Sequence, residues 1–140
     1  MSAENVELVR RLYEAVARHD FAAVLAMYDP DVEFDFSRVG TGYWGDVTQQ
    51  RVYRGHEGLR QIFGAWLEAW DSVEDALEEV IDAGEQVVSV ATSRMRGRAS
   101  GLQVELPHYA GVWTIREGKV VRVVFFQGRA EALEAAGVEA

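Results

Sequence analysis

Apolar positions along the chain fall first into helical spacing and then into strand spacing. From about Ala3 to Arg18, Val6, Val9, Tyr13 and Val16 recur every third or fourth residue, with Leu8, Leu12 and Ala15 widening the stripe. That spacing predicts an amphipathic helix with one face on a core. Ser2 is placed to cap its start. Asp20 reads as the N-cap of a second, shorter helix through Tyr28, and Pro30 ends it. Val32, Phe34 and Phe36 then alternate with Glu33 and Asp35, which predicts a short strand with opposed faces. Residues 38–52, SRVGTGYWGDVTQQR, hold three glycines and no sustained period, so they read as a long loop.

A third helix opens near His56, where Leu59, Ile62, Phe63, Trp66 and Trp70 keep one apolar face. From Val73 the period changes to that of strands. VEDALEEVID is a strand and AGEQ a turn; VVSVATSRMRGRA is a long strand that begins rich in β-branched residues, and ASGLQ is a second turn. VELPHYAGVWTI follows, with Pro107 marking an edge or a bulge. REGK is a tight hairpin turn, VVRVVFFQ the last strand, and RAEALEAAGVEA a short closing helix. The order is that of an α+β fold: a cone-shaped, curved, mostly antiparallel sheet with three N-terminal helices over its concave face. Side chains cannot fill the wide end of a cone this size, so one pocket is expected there. No repeat or linker interrupts the pattern, and residues 1–140 read as a single domain.

Composition narrows the chemistry. The chain has no cysteine, which excludes disulfides and thiol catalysis. Its net charge of −9, from 14 basic and 23 acidic residues, repels phosphate backbones and anionic membranes, so neither nucleic acid nor membrane is expected as a partner. MSAENVELVRR carries no signal-peptide pattern, and no apolar stretch approaches the ~20 residues that span a bilayer, so a cytoplasmic location is the expectation. No histidines show ligand spacing; no metal and no cofactor are expected.

Strand alternation frames the candidate residues. Asp35, if turned inward, is a carboxylate in an apolar cavity and a general base; if turned outward it is a solvated strand residue, because Phe34 and Phe36 take the inner face. His108 shares parity with Ala110, Val112 and Thr114, and Tyr109 with Gly111 and Trp113. The large rings put the Tyr109 set inside, so His108 reaches the pocket as a proton carrier only if Pro107 distorts the strand. His56 begins the third helix, and His19 lies near the end of the first, where a cation is favoured. Tyr13, Tyr28, Trp44, Tyr53, Trp66, Tyr109, Trp113 and Phe125 are either core or ligand-binding walls. Four Trp and five Tyr is a large supply for 140 residues, and a buried Tyr hydroxyl can steady an oxyanion. Tyr43 and Trp44 suit a lid, and Gln127 a hydrogen bond to a ligand carbonyl or a solvated strand end. Arg94, Arg96 and Arg98 form either an anion site or a solvated face paired with acids such as Glu105.

Several strings extend the picture: YDPDVEF, YRGHEGLRQIF, IDAGEQVV, RMRGRASG, VWTIREGKVVRV and RAEALEAAG. Together they resemble the SnoaL-like branch of the NTF2-like superfamily over nearly the whole chain. The resemblance implies a cone with an apolar pocket, often in a homodimer. Its members include polyketide cyclases, ketosteroid isomerases, dehydratases, epoxide hydrolases and non-catalytic modules, so it implies no single reaction. Many relatives carry an acid just before the RAEAL-type string; here FFQGRAEAL places Gly128 there, with Gln127 before it. Steroid-isomerising relatives carry an Asp on the strand after the second helix; here Phe34 is the closest match and Asp35 comes one residue later, on the other face. The expected function is binding of a small apolar, cyclic, carbonyl-bearing molecule, with cofactor-independent acid–base catalysis of isomerase, cyclase or dehydratase type. The alternative is a non-catalytic ligand-binding or dimeric interaction module.

Overall fold

The change of period becomes a change of element. The computed structural model describes residues 2–39 and 51–138. Its elements are α1 (Ser2–Ala17), α2 (Phe21–Ala26), β1 (Tyr28–Asp35), β2 (Val52–Arg54), α3 (Gly55–Ala69), β3 (Trp70–Ala83), β4 (Gln86–Gly97), β5 (Gln103–Arg116), β6 (Lys119–Phe126) and α4 (Arg129–Ala135). The six strands form one curved sheet in the order β2-β1-β6-β5-β4-β3. Strands β3 to β6 are the expected antiparallel meander. β1 lies parallel to β6, and β2 pairs antiparallel with β1 at the edge.

Local chemistry sets several boundaries. Asp20 caps α2 by accepting from the Ala23 N–H at 3.2 Å. That helix is shorter than expected, and Tyr28 belongs to β1. Pro30 sits inside β1 rather than ending a helix. Lacking an N–H, it falls in the stretch where the β1–β6 register shifts between Tyr28 and Glu33. β2 emerges at the end of the expected loop, and His56 ties the start of α3 back to β1 through Nε2 and the Tyr28 carbonyl at 2.9 Å. Glu117 and Gly118 both have positive φ (52° and 75°), the signature of a type I′ turn, as REGK suggested. Tyr43 and Trp44 lie outside the described residues.

Two apolar layers result. On the inner face, Leu8, Val9, Leu12 and Ala15 of α1 and Leu59, Ile62 and Phe63 of α3 pack on Val87, Ala91, Tyr109, Trp113, Val123 and Phe125. On the outer face, Val88, Val90, Ala110, Val112, Val124 and Phe126 are covered by Ala132 and Leu133 of α4. The outer face of the sheet thus carries α4 over part of its area.

Candidate functional site

The helices do not fill the inner face completely. A cavity remains between α1, α3 and the sheet, with about 50 Å³ in which the centre of a water molecule can move. Its walls are mostly apolar and aromatic: Phe34, Phe36 and Phe125 meet with ring centroids 5.3–5.5 Å apart. Tyr13 from α1, Tyr28 from β1, Trp66 from α3, and Tyr109 and Trp113 from β5 complete them.

One carboxyl enters this cavity, from Asp75 on β3. Burial raises its pKa above the ordinary 3.8 by disfavouring the charged form. Two groups hold that rise back. The Ser93 hydroxyl faces it across the β3–β4 ladder but falls short of full hydrogen-bond geometry. The Tyr109 hydroxyl donates to Asp75 Oδ1 at 3.2 Å. Tyr109 in turn interacts with Tyr13, and burial with these neighbours lifts the Tyr109 phenol well above its usual range. Burial pushes the Tyr13 phenol up to about 12, partly offset by its bond to Ser89. Both phenols therefore stay protonated at neutral pH and remain hydrogen-bond donors.

The order of this chain is fixed at its far end. Trp113 Nε1 donates to Ser89 Oγ at 2.8 Å, and the indole N–H can only donate. Ser89 then shares a bond with the Tyr13 hydroxyl at 3.1 Å. Ser89 is fully buried, so it acts from behind the cavity wall. Gly111, opposite Ser89 in the ladder, leaves the space through which the indole reaches it. Asp75 accepts at one end, the indole donates at the other, and the two phenols lie between them. Among the described residues, no three His, Asp or Glu side chains are grouped as metal ligands.

A family model of the SnoaL-like domain matches residues 9–123. The chain belongs to the SnoaL-like family. Solved structures agree with this fold. An NTF2-like protein from Burkholderia thailandensis is 27% identical, with 96% of this chain and 98% of that one covered and a TM-score of 0.70. TerC, co-crystallised with polyporic acid, is 22% identical over 95% of this chain and 97% of that one, with a TM-score of 0.75. A protein from Jannaschia sp. CCS1, named for SnoaL-like polyketide cyclases, is 21% identical over 96% and 92%, with a TM-score of 0.73. A comparison with curated proteins finds no match.

The SnoaL-like cavity brings together Tyr13, Tyr28, Trp66, Tyr109, Trp113 and Phe125 from the expected ligand-binding set. Other expected residues lie elsewhere. Tyr53 is buried at the sheet edge, edge-on to Phe36 at 6.1 Å, and does not line the cavity. Gln127 is exposed where β6 gives way to α4, and Trp44 lies outside the described residues. Asp35 is only 7% exposed, but on the outer face, opposite Val124. It accepts from the Ser37 N–H at 2.7 Å and stands 3.7 Å from Arg122. Alternation decides this, since Phe34 and Phe36 take the inner face.

His108 also stays outside. Pro107 does distort β5: Leu106 and Tyr109 both face inward, and His108 is taken up in a bulge opposite Thr92. The bulge leaves the His108 side chain 70% exposed, 2.8 Å from Glu78. The arginine row breaks up as well. Arg94 pairs with Glu105 at 3.0 Å on the outer face, and Arg98 turns to the end of α3, bonding the Leu67 and Trp70 carbonyls and Asp71. The cavity's own acid, Asp75, was not singled out from the sequence. Its signal was there in parity: Asp75 falls between Val73 and Leu77 on one face of a strand.

Proposed function

We propose that this SnoaL-like protein binds a small apolar ring compound bearing a carbonyl oxygen and moves a proton on it without a cofactor. The observation that supports this is one carboxyl of raised pKa, bonded to a buried phenol, in an otherwise apolar cavity. Asp75 is the proton carrier; as carboxylate it takes a proton from the carbon beside the carbonyl. The C–H electron pair moves onto the carbonyl oxygen, and the Tyr13 and Tyr109 hydroxyls stabilise the resulting enolate. Asp75, now protonated, returns the proton to another carbon or oxygen of the ligand, which is the shared step of isomerases, cyclases and dehydratases. Similarity to a structure co-crystallised with polyporic acid is in keeping with a cyclic oxygenated ligand. A homodimer, expected from the resemblance, and a cytoplasmic location belong to the same reading.

A second reading is a binding module of the same fold. It is favoured by Gly128, which stands where the resemblance places an acid. Deuterium exchange separates the two. Cyclohexanone incubated in D₂O with the protein is followed by proton NMR. The enzyme reading expects exchange of the α-hydrogens well above the buffer rate, lost in Asp75→Asn. Ligand binding with no enhanced exchange overturns catalysis and leaves the binding module.

A further inference from the structure

On the inner face of β4 the side chains run Val87, Ser89, Ala91, Ser93 and Met95, two hydroxyls in an apolar row. Both serines are fully buried. Ser89 has its partners in Trp113 and Tyr13. Ser93 differs: among the described residues its Oγ completes no hydrogen bond, and a buried hydroxyl left unpaired is costly. The ladder limits what it can meet. Asp75 stands opposite it on β3 and Leu106 on β5, each within the reach of a direct cross-strand pair. The flanking positions on the same face are Val73 and Leu77 of β3 and Ala91 and Met95 of β4, all apolar. Of these side chains only the Asp75 carboxylate can accept from Ser93. Ser93 does not line the cavity, so it meets that carboxylate from behind the wall.

Tyr109 has one hydroxyl proton, and in this structure it is given to Asp75 Oδ1 at 3.2 Å. The reaction proposed above asks for the same proton at the ligand's oxygen, and one phenol proton cannot serve both. Once the ligand claims it, the carboxylate loses a donor just as it is to act as base. Besides Tyr109, the titratable group beside Asp75 is Tyr13 of α1, and neither phenol is a cation that could hold the charge. A carboxyl turns easily about its last bond, whose torsion is broad. Such a turn carries an oxygen away from Tyr109 and towards Ser93.

We propose that Ser93 is a positioning residue that exchanges with Tyr109: the ligand's oxygen draws the Tyr109 proton to itself, the Asp75 carboxylate turns, and the Ser93 hydroxyl takes it up. Ser93, unpaired in this structure, gains its acceptor in the complex. This rests on the ligand site proposed above and deepens it.

Three variants test the exchange. Ser93→Ala removes the hydroxyl and adds no bulk; Ser93→Thr and Ser93→Val add the same bulk and differ in the hydroxyl alone. Carbon-13 NMR of the aspartate carboxyls follows the Asp75 titration in each protein, free and saturated with cyclohexanone, whose oxygen accepts but does not donate. With cyclohexanone bound, Ser93→Ala and Ser93→Val should hold the Asp75 proton about tenfold more tightly than the unaltered protein does, the scale of one hydrogen bond to a charged group, and Ser93→Thr should match the unaltered protein. Without cyclohexanone the change should be smaller. Melting curves check folding, and Ser93→Ala carries the test alone if the bulkier pair does not fold. An equal change with and without cyclohexanone, no change in either, or Ser93→Thr behaving as Ser93→Val overturns the exchange while the ligand site stands. Calorimetric titration of the unaltered protein with 4-methylphenol, a one-ring phenol, tests that site separately. If neither 4-methylphenol nor cyclohexanone binds, the ligand site fails and the exchange with it.

Discussion

Replacing Gly111 by alanine tests the geometry behind the cavity wall. A Cβ at that position would stand 2.9 Å from Trp113 Nε1, 3.2 Å from Ser89 Oγ and 3.4 Å from a Phe125 ring carbon. None of these neighbours yields easily, since Ser89, Trp113 and Phe125 are all at most 5% exposed. The methyl must push the indole off Ser89. Overpacking costs about 1–3 kcal/mol. A buried indole N–H left without its acceptor costs about 1–3 kcal/mol more. The stiffer unfolded chain of alanine returns about 0.4–1 kcal/mol. The balance is a net loss of about 1–6 kcal/mol, and a domain of this size loses roughly 3–4 °C of Tm per kcal/mol. Thermal melts followed by circular dichroism read this directly. Gly64→Ala is the control: on α3 a Cβ there meets nothing within 4 Å, so alanine should stabilise, by up to about 1 kcal/mol. If Gly111→Ala melts at or above the unaltered protein with its near-ultraviolet tryptophan signal intact, the indole does not lie across Gly111 onto Ser89. The ordering of Tyr13 then loses its support.

Three further outcomes follow from the site. Asp75→Asn should stabilise the protein at neutral pH, with the gain shrinking towards pH 3. The folded carboxyl has a raised pKa, so below the ordinary 3.8 both states are protonated, and above it the unfolded state ionises first and stability falls through the raised value. Melts at several pH values check this, and a gap that does not change with pH contradicts it. His108→Gly should raise stability by up to about 1 kcal/mol, since the residue sits at φ 52° and its exposed pairing with Glu78 contributes little; ligand affinity should not change. Asp35→Ala should cost about 1–3 kcal/mol in denaturant unfolding, because the Ser37 N–H loses its acceptor, and should leave the affinity for 4-methylphenol as it was.

Much of the fold was readable because its signals are local. The apolar face of α3, the β-branched opening of β4, the REGK turn and the parity of Tyr109 with Trp113 each needed only neighbours in sequence. The parallel pairing of β1 with β6 joins residues some ninety positions apart, such as Phe34 with Val123, and no nearby residue announces it. Tyr28 looked like the end of a helix; it opens a strand because Met27 already closes α2. Asp75 was hidden by its company. Glu74, Glu78, Glu79 and Asp82 make β3 read as a solvated edge, and only the packing of α1 against that strand shows which parity faces inward. His108 stays outside although Pro107 distorts its strand. A bulge distorts the strand as Pro107 suggested, and it absorbs the histidine instead of turning it inward.

The proposed function rests on an Asp75 carboxyl of raised pKa inside a ligand cavity. Carbon-13 NMR of protein labelled at the aspartate carboxyls, followed over pH with and without 4-methylphenol, measures it. One resonance, absent from Asp75→Asn, should titrate above 3.8 and shift again when the ligand is added. An Asp75 resonance that titrates at or below 3.8, or that ignores the ligand, would contradict it.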